Sequence, residues 1–157
     1  MILFALAARF ANLLLAALVT GAMFGLWLAF NPRSGLDGSG YIVIHQQSVR
    51  GMNTAMPILG LVTIVTTIAV AYLTRDDKTR FVMLIMAAVA FVATGLITRF
   101  INQPINATIM GWSPTSPPAQ WSALRDVWWR WHMLRIVCGT VGMSLLILAE
   151  LTRDRSV

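Results

Sequence analysis

Apolar residues fall into four long runs along this chain, and the polar residues crowd between them. The first run extends from about Ile2 to Phe30, with Arg9 as its only formal charge. Met56 to Leu73 is the second, closed by the charged turn Thr74-Arg75-Asp76-Asp77-Lys78. Phe81 to Thr98 is the third, and Ile136 to Leu151 the fourth, extended backwards by tryptophans from Trp128. Crossing about 30 Å of hydrocarbon takes roughly 20 apolar residues in a helix, because lipid cannot hydrogen-bond a bare backbone. The pattern therefore predicts an all-α fold, an integral membrane four-helix bundle forming a single transmembrane domain over 1–157. Spans are expected at about 3–30, 41–74 (membrane part 52–73), 80–109 (membrane part 81–101) and 123–151. The first run is longer than a signal-peptide core and has no clear small-x-small cleavage site, so it reads as a retained span.

Composition strengthens that picture. Of 157 residues, 57% are hydrophobic and 11% charged, with a mean hydropathy of +0.72. Soluble domains carry about a quarter charged residues, so the apolar excess here is expected to face a lipid bilayer. A net charge of +6 would suggest nucleic acid in a soluble protein. These cations are dispersed at helix ends without a basic run, and no nucleic-acid partner is expected. The lone Cys138 excludes an internal disulfide and a cysteine metal cluster.

Four spans place both termini on one side. Arg75, Lys78 and Arg80 in the 2–3 loop, with Arg153 and Arg155 in the tail, nearly balance Arg33, Arg50, Arg99 and Arg125 on the other side. Those latter arginines sit within apolar or aromatic segments, so the positive-inside rule favours cytoplasmic termini; in a bacterium the membrane would be the inner one.

Three polar segments fall at the same, opposite end of their spans. They are His45-Gln-Gln-Ser-Val-Arg-Gly-Met-Asn53, Arg99-Phe-Ile-Asn-Gln-Pro-Ile-Asn106 and Arg125-Asp-Val-Trp-Trp-Arg-Trp-His-Met-Leu-Arg135. Ionisable groups near membrane depth are costly and face a cavity or one another. At about 100° per residue, Arg99, Asn102 and Asn106 share one helix face. Arg125, Trp128, Trp129, His132, Arg135 and Gly139 share another, and His45, Val49, Met52 and Met56 a third, with Asn53 at its margin. Arg130 is expected to pair with Asp126 on the surface. Pro57 and Pro104 each interrupt a helix close to this zone and free carbonyls.

Ordinary roles account for several of these residues. Interfacial arginines and tryptophans such as Arg33, Arg99 and Trp121 are commonly anchors. Asn102 and Asn106 can join helices, methionines pack, and Glu150 would reach the interface. His132 with Arg135 is harder to dismiss: a titratable base and a fixed cation share one helical turn with no carboxylate on that face. A neutral imidazole there could take a proton while cations and amides hold the anion formed. The aromatic wall of Trp128, Trp129 and Trp131 suits a flat lipophilic aromatic small molecule. No metal site is expected from 2 histidines and few acids on the polar side. A haem held by His45 and His132 is an alternative.

At these residues the sequence resembles the anthrone oxygenase family of small four-helix membrane proteins. The resemblance rests on Asn102-Gln-Pro-Ile-Asn106 followed by Trp112, on Trp121-Ser-Ala-Leu-Arg125, on Trp131-His132-Met-Leu-Arg135 and on Arg50-Gly-Met-Asn53-Thr-Ala-Met-Pro57. It implies oxidation of an anthrone-like phenol to a quinone by molecular oxygen as co-substrate, with no metal or flavin cofactor. Carried onto this chain, it makes His132 the base and Arg135 with Asn102 the oxyanion donors. Arg125, Asn106 and Trp112 would orient the substrate, and His45 would be a second proton carrier. Two other classes stand beside this one: a haem- or quinone-binding electron-transfer subunit, and a non-catalytic carrier. A homo-oligomer is one expectation for so small a bundle, and the proline-rich segment 111–120 is a candidate lid.

Overall fold

The computed structural model describes residues 2–30 and 35–152. Arg33, Arg153 and Arg155, which entered the orientation argument, lie outside the described residues. Among the described residues the chain is helical, without strands. The elements are α1 (Ile2–Ala29), α2 (Gly38–Met52), α3 (Ala55–Leu73), α4 (Lys78–Ile97), a π-helical turn (Thr98–Asn102), α5 (Gln103–Met110) and α6 (Trp121–Leu151). Four segments are long and apolar enough to cross a membrane: α1, α3, the rod Lys78–Met110 and α6. Only 17–28% of each apolar window is buried inside the protein, as befits a multi-pass integral membrane protein. α1 packs against α3 and α6, and so does α4. The four spans therefore form a ring, with α1 and α4 on one diagonal.

The helix expected over 41–74 is not continuous. It breaks at Asn53-Thr54, because Pro57 has no N–H to accept from and crowds the carbonyl four residues before it. Pro57 instead takes the third position of α3, where an amide would be unpaired anyway. The preceding residues form α2, started by Asp37, whose carboxylate accepts from Gly40 N–H at 2.8 Å. Its 15 residues are too few to cross hydrocarbon. α2 lies against α5, burying Tyr41, Ile42 and His45. Gln46 ties the pair by donating to the carbonyls of Ile109 at 3.0 Å and Trp112 at 2.8 Å.

Pro104 is handled differently. No break occurs, since the turn before it widens to π geometry and absorbs the missing hydrogen bond within one rod. That wider turn rotates everything after it relative to α4.

The end of the bundle near the α3–α4 turn is not plain apolar packing. Glu150, expected at the interface, has only 22% of its side chain exposed and is ion-paired to Arg9 and to Arg80. Arg80 also donates to the Ala149 carbonyl at 2.8 Å. Deeper in, Asn12 of α1 donates to Thr66 Oγ1 at 3.0 Å and Thr67 Oγ1 at 2.8 Å on α3. These polar ties fix neighbours that lipid-soluble surfaces alone would leave free to slide. On α6, Gly139 lets α1 come close: a Cβ there would lie 2.5 Å from Met23 Cε.

Candidate functional site

At the polar end the helices diverge around a cavity of about 280 Å³. That is near the lower end of the roughly 300–1,000 Å³ typical of ligand pockets. Most of its wall is apolar, including Met23, Phe30, Met52, Met56, Ile64 and Phe91. Its polar positions are His45, Ser48, Asn53, Thr63, Thr94, Thr98, Arg99, Gln103, Asn106 and Arg135, with Trp128 beside them. Among the described residues no Asp or Glu lines it. Five expected site residues are thus brought to one cavity: His45, Asn53, Asn106, Trp128 and Arg135.

His132 stands apart from these five. It is fully buried and does not line the cavity. Arg135 lies 2.7 Å from its Nδ1, and a guanidinium only donates, so Nδ1 must be the acceptor. Nε2 then carries the hydrogen and donates to the Met23 carbonyl at 3.0 Å. Neither nitrogen is left to take a proton, so the assignment of His132 as base does not fit this geometry.

His45 shows the converse pattern. Trp128 Nε1–H, which can only donate, meets Asn106 Oδ1 at 2.8 Å. The same oxygen lies 3.0 Å from His45 Nε2, which is therefore the protonated nitrogen. Nδ1 keeps its lone pair, buried and without a partner. Burial pushes the His45 imidazole down to about 4, partly offset by the Asn106 bond. Neutral at physiological pH, it is a base held in a defined tautomer. Neighbouring Tyr41 also has a buried, unpartnered hydroxyl, and burial raises its ionisation above the usual phenol range.

Arg135 supplies the charge. It is 8% exposed, donates to Thr98 Oγ1 at 3.0 Å and to His132, and its Nε–H finds no acceptor. Among the described residues no carboxylate pairs with it. A buried cation of this kind is costly unless an anion joins it.

The remaining expected residues go elsewhere. Asn102 is buried between the π turn and α6, where it donates to the Trp128 carbonyl at 3.3 Å; it does not reach the cavity, so it is not placed as an oxyanion donor. The wider π turn explains why: Arg99, Gln103 and Asn106 face the cavity together, and Asn102 is rotated away. Arg125, not Arg130, pairs with Asp126 at 2.9 Å and covers the Trp121 ring at 4.9 Å, outside the cavity wall. Trp112 accepts from Gln46 through its carbonyl and packs on the cluster that holds Phe30, Tyr41 and Trp128, outside the cavity wall, and Trp131 is 37% exposed on the outer surface. Segment 111–120 packs on α2, with Pro117 and Trp121 against Gly38, and is not a lid over this cavity. Arg99, read from the sequence as an anchor, and Gln103, which the sequence did not single out, are on the wall; their i,i+4 spacing was the available signal.

A haem between the two histidines does not fit. Trp128 stands between them, stacked on His132 at 4.7 Å and edge-on to His45 at 5.2 Å. No cluster of three or more metal ligands occurs among the described residues.

Fold and site together define a four-span helical membrane protein with a cationic cavity at one end, lined by no carboxylate among the described residues. Residues 47–145, more than half of the chain, match the family described as anthrone oxygenase, and the chain belongs to that family. The match includes Asn53, Asn106, Trp128, His132 and Arg135, and begins two residues after His45. No curated protein and no solved structure matches the chain.

Proposed function

We propose that the protein is a membrane-embedded oxygenase that oxidises an anthrone-like phenol to the quinone with molecular oxygen and no cofactor. The bilayer surrounds the four spans, with both termini on the cytoplasmic side. One observation carries this reading: the cavity joins a buried guanidinium, without a counter-ion among the described residues, to a buried imidazole with a free lone pair. The first asks for an anion, and the second can make one.

In this scheme the substrate lies against Trp128, its carbonyl oxygen towards Arg135. His45 Nδ1 takes the C–H proton between the two rings, while Asn106 holds Nε2–H and so the tautomer. Charge moves onto the carbonyl oxygen, where the Arg135 Nε–H stabilises the enolate in a water-poor site. The carbanion gives one electron to O2, and the radical and superoxide recombine into a carbon–peroxide bond. Protonated His45 returns its proton to the peroxide. Loss of the remaining C–H proton with cleavage of the O–O bond leaves the ketone and one water. Anthrone plus O2 thus gives quinone plus water, in balance.

Oxygen uptake by membranes containing the protein, supplied with a panel of anthrones, tests this. One O2 consumed per quinone formed is expected. Tight binding without oxygen uptake would make the protein a carrier, and neither binding nor uptake would end the reading.

A further inference from the structure

Among the described residues, the exposed positions of the cavity wall fall along one seam. The exposed wall residues are Asn53, Pro57 and Leu61 on one side and Gly95 and Arg99 on the other. Pro57 and Leu61 are four residues apart on α3, with Asn53 at the break before it, and Gly95 and Arg99 are four apart along the rod, so each set lies on one side of the seam. α3 and α4 are neighbours in the ring, and the two sets are the facing edges of a slit between them. Gly95 keeps the slit open: a Cβ there would meet only Ile64 Cδ1, at 4.0 Å. Leu61 is 62% exposed on an apolar span, so the slit opens towards the surface that lipid would cover. At its polar end stands Arg99, exposed and bonded only weakly to Gln103 Oε1 at 3.4 Å. Among the described residues no carboxylate pairs with Arg99.

We propose that the slit between α3 and α4 is the ligand's entrance from the bilayer, and that Arg99 at its rim selects lipophilic molecules bearing an acidic group. The proposal rests on the cavity being the binding site of the reading above, not on the oxidation itself. An amphiphilic anion in a leaflet carries its charge at the interface and its rings below, matching Arg99 above Leu61 and Gly95. Arg99 holds the acid at the mouth, and Arg135 receives the second oxygen inside. A neutral ring system of equal size finds the same apolar path without the first contact.

The test uses the full chain in phosphatidylcholine vesicles, with anthracene-2-carboxylate and 2-methylanthracene as unreactive probes followed by energy transfer from tryptophan. Arg99→Gln is expected to weaken the carboxylate by about tenfold, as for loss of one charged hydrogen bond, and to leave the methyl probe unchanged. Gly95→Leu is expected to slow both association and dissociation of both probes by about tenfold or more. A leucine that merely filled the cavity would speed dissociation. Gly95→Ala, which has room for its methyl, is the milder variant and should give a smaller slowing of the same kind. Equal weakening of both probes by Arg99→Gln, or unaltered rates in both Gly95 variants, overturns the proposal. Wild-type protein that binds the probes as described but oxidises no anthrone refutes the oxygenase reading and leaves this one standing. Anthrone turnover that Gly95→Leu does not slow does the reverse.

Discussion

The guanidinium of Arg135 donates to Nδ1 of His132 over 2.7 Å, one turn apart on the same buried face of α6. With Nε2 held by the Met23 carbonyl, the imidazole acts as a strut between α1 and the arginine. His132→Gln keeps an oxygen that can accept from Arg135, so it should lose less than about tenfold in kcat/KM. His45→Ala removes the free lone pair and should lose about 10²–10⁴-fold, the usual range for a general base. Initial rates of anthrone-dependent oxygen uptake compare the two. The opposite order would restore His132 as the base.

Arg135 should matter through binding of charge. Arg135→Gln removes the cation and two of its anchoring bonds, and is expected to weaken a stable phenolate inhibitor by about 10–100-fold, equivalent to about 1.5–3 kcal/mol. Arg135→Lys keeps the charge but cannot serve Thr98, His132 and a ligand at once, so it should fall between. Inhibition constants for a hydroxyanthraquinone, measured in both variants, decide this. Equal inhibition of wild type and Arg135→Gln would remove Arg135 from the site.

The four spans were legible because lipid leaves a one-sided signature: long apolar runs with charged ends. The gathering of polar segments at one end was legible for the same reason. What the runs could not show is helix phase through a proline. Straight-helix geometry put Asn102 beside Arg99, and the π turn before Pro104 sends Asn102 to α6 and keeps Arg99 on the cavity. Nor does spacing alone say which of two histidines is sealed. His132 looked exposed to chemistry because Arg135 lay one turn away, and that same contact occupies its lone pair. Asn12, isolated in an apolar run, gave no partner pattern because its threonines lie on another helix.

The opposite end of the bundle should carry stability, not activity. Glu150→Gln leaves Arg9 and Arg80 facing a neutral amide. Breaking a buried ion pair costs roughly 3–5 kcal/mol. With 22% of the Glu150 side chain exposed, about 2–4 kcal/mol is expected here. Unfolding in mixed micelles by a denaturing detergent measures the loss. Turnover per folded molecule should stay at the wild-type value, since the cavity lies at the other end; a loss of turnover without a loss of stability would contradict that division.

The pH dependence follows from His45. Its folded value of about 4 lies below the ordinary imidazole value of 6.5, so between those limits the unfolded chain binds a proton that the fold refuses. Stability is therefore full above about 6.5 and falls as the pH drops towards 4, where both states are protonated and the loss levels off. Activity behaves differently, because it follows the folded protein alone. As a free base, His45 should keep kcat/KM level down to about pH 4 and then lose about tenfold per unit. Asn106→Leu removes the hydrogen bond that partly offsets burial, so the fall should move to lower pH while the maximum rate drops through loss of the tautomer lock. A pH–rate profile of wild type and Asn106→Leu, taken over short assays to stay ahead of unfolding, reads both effects. A break near 6.5 in wild type would mean that the proton acceptor is exposed to water, and would exclude the buried His45 from that role.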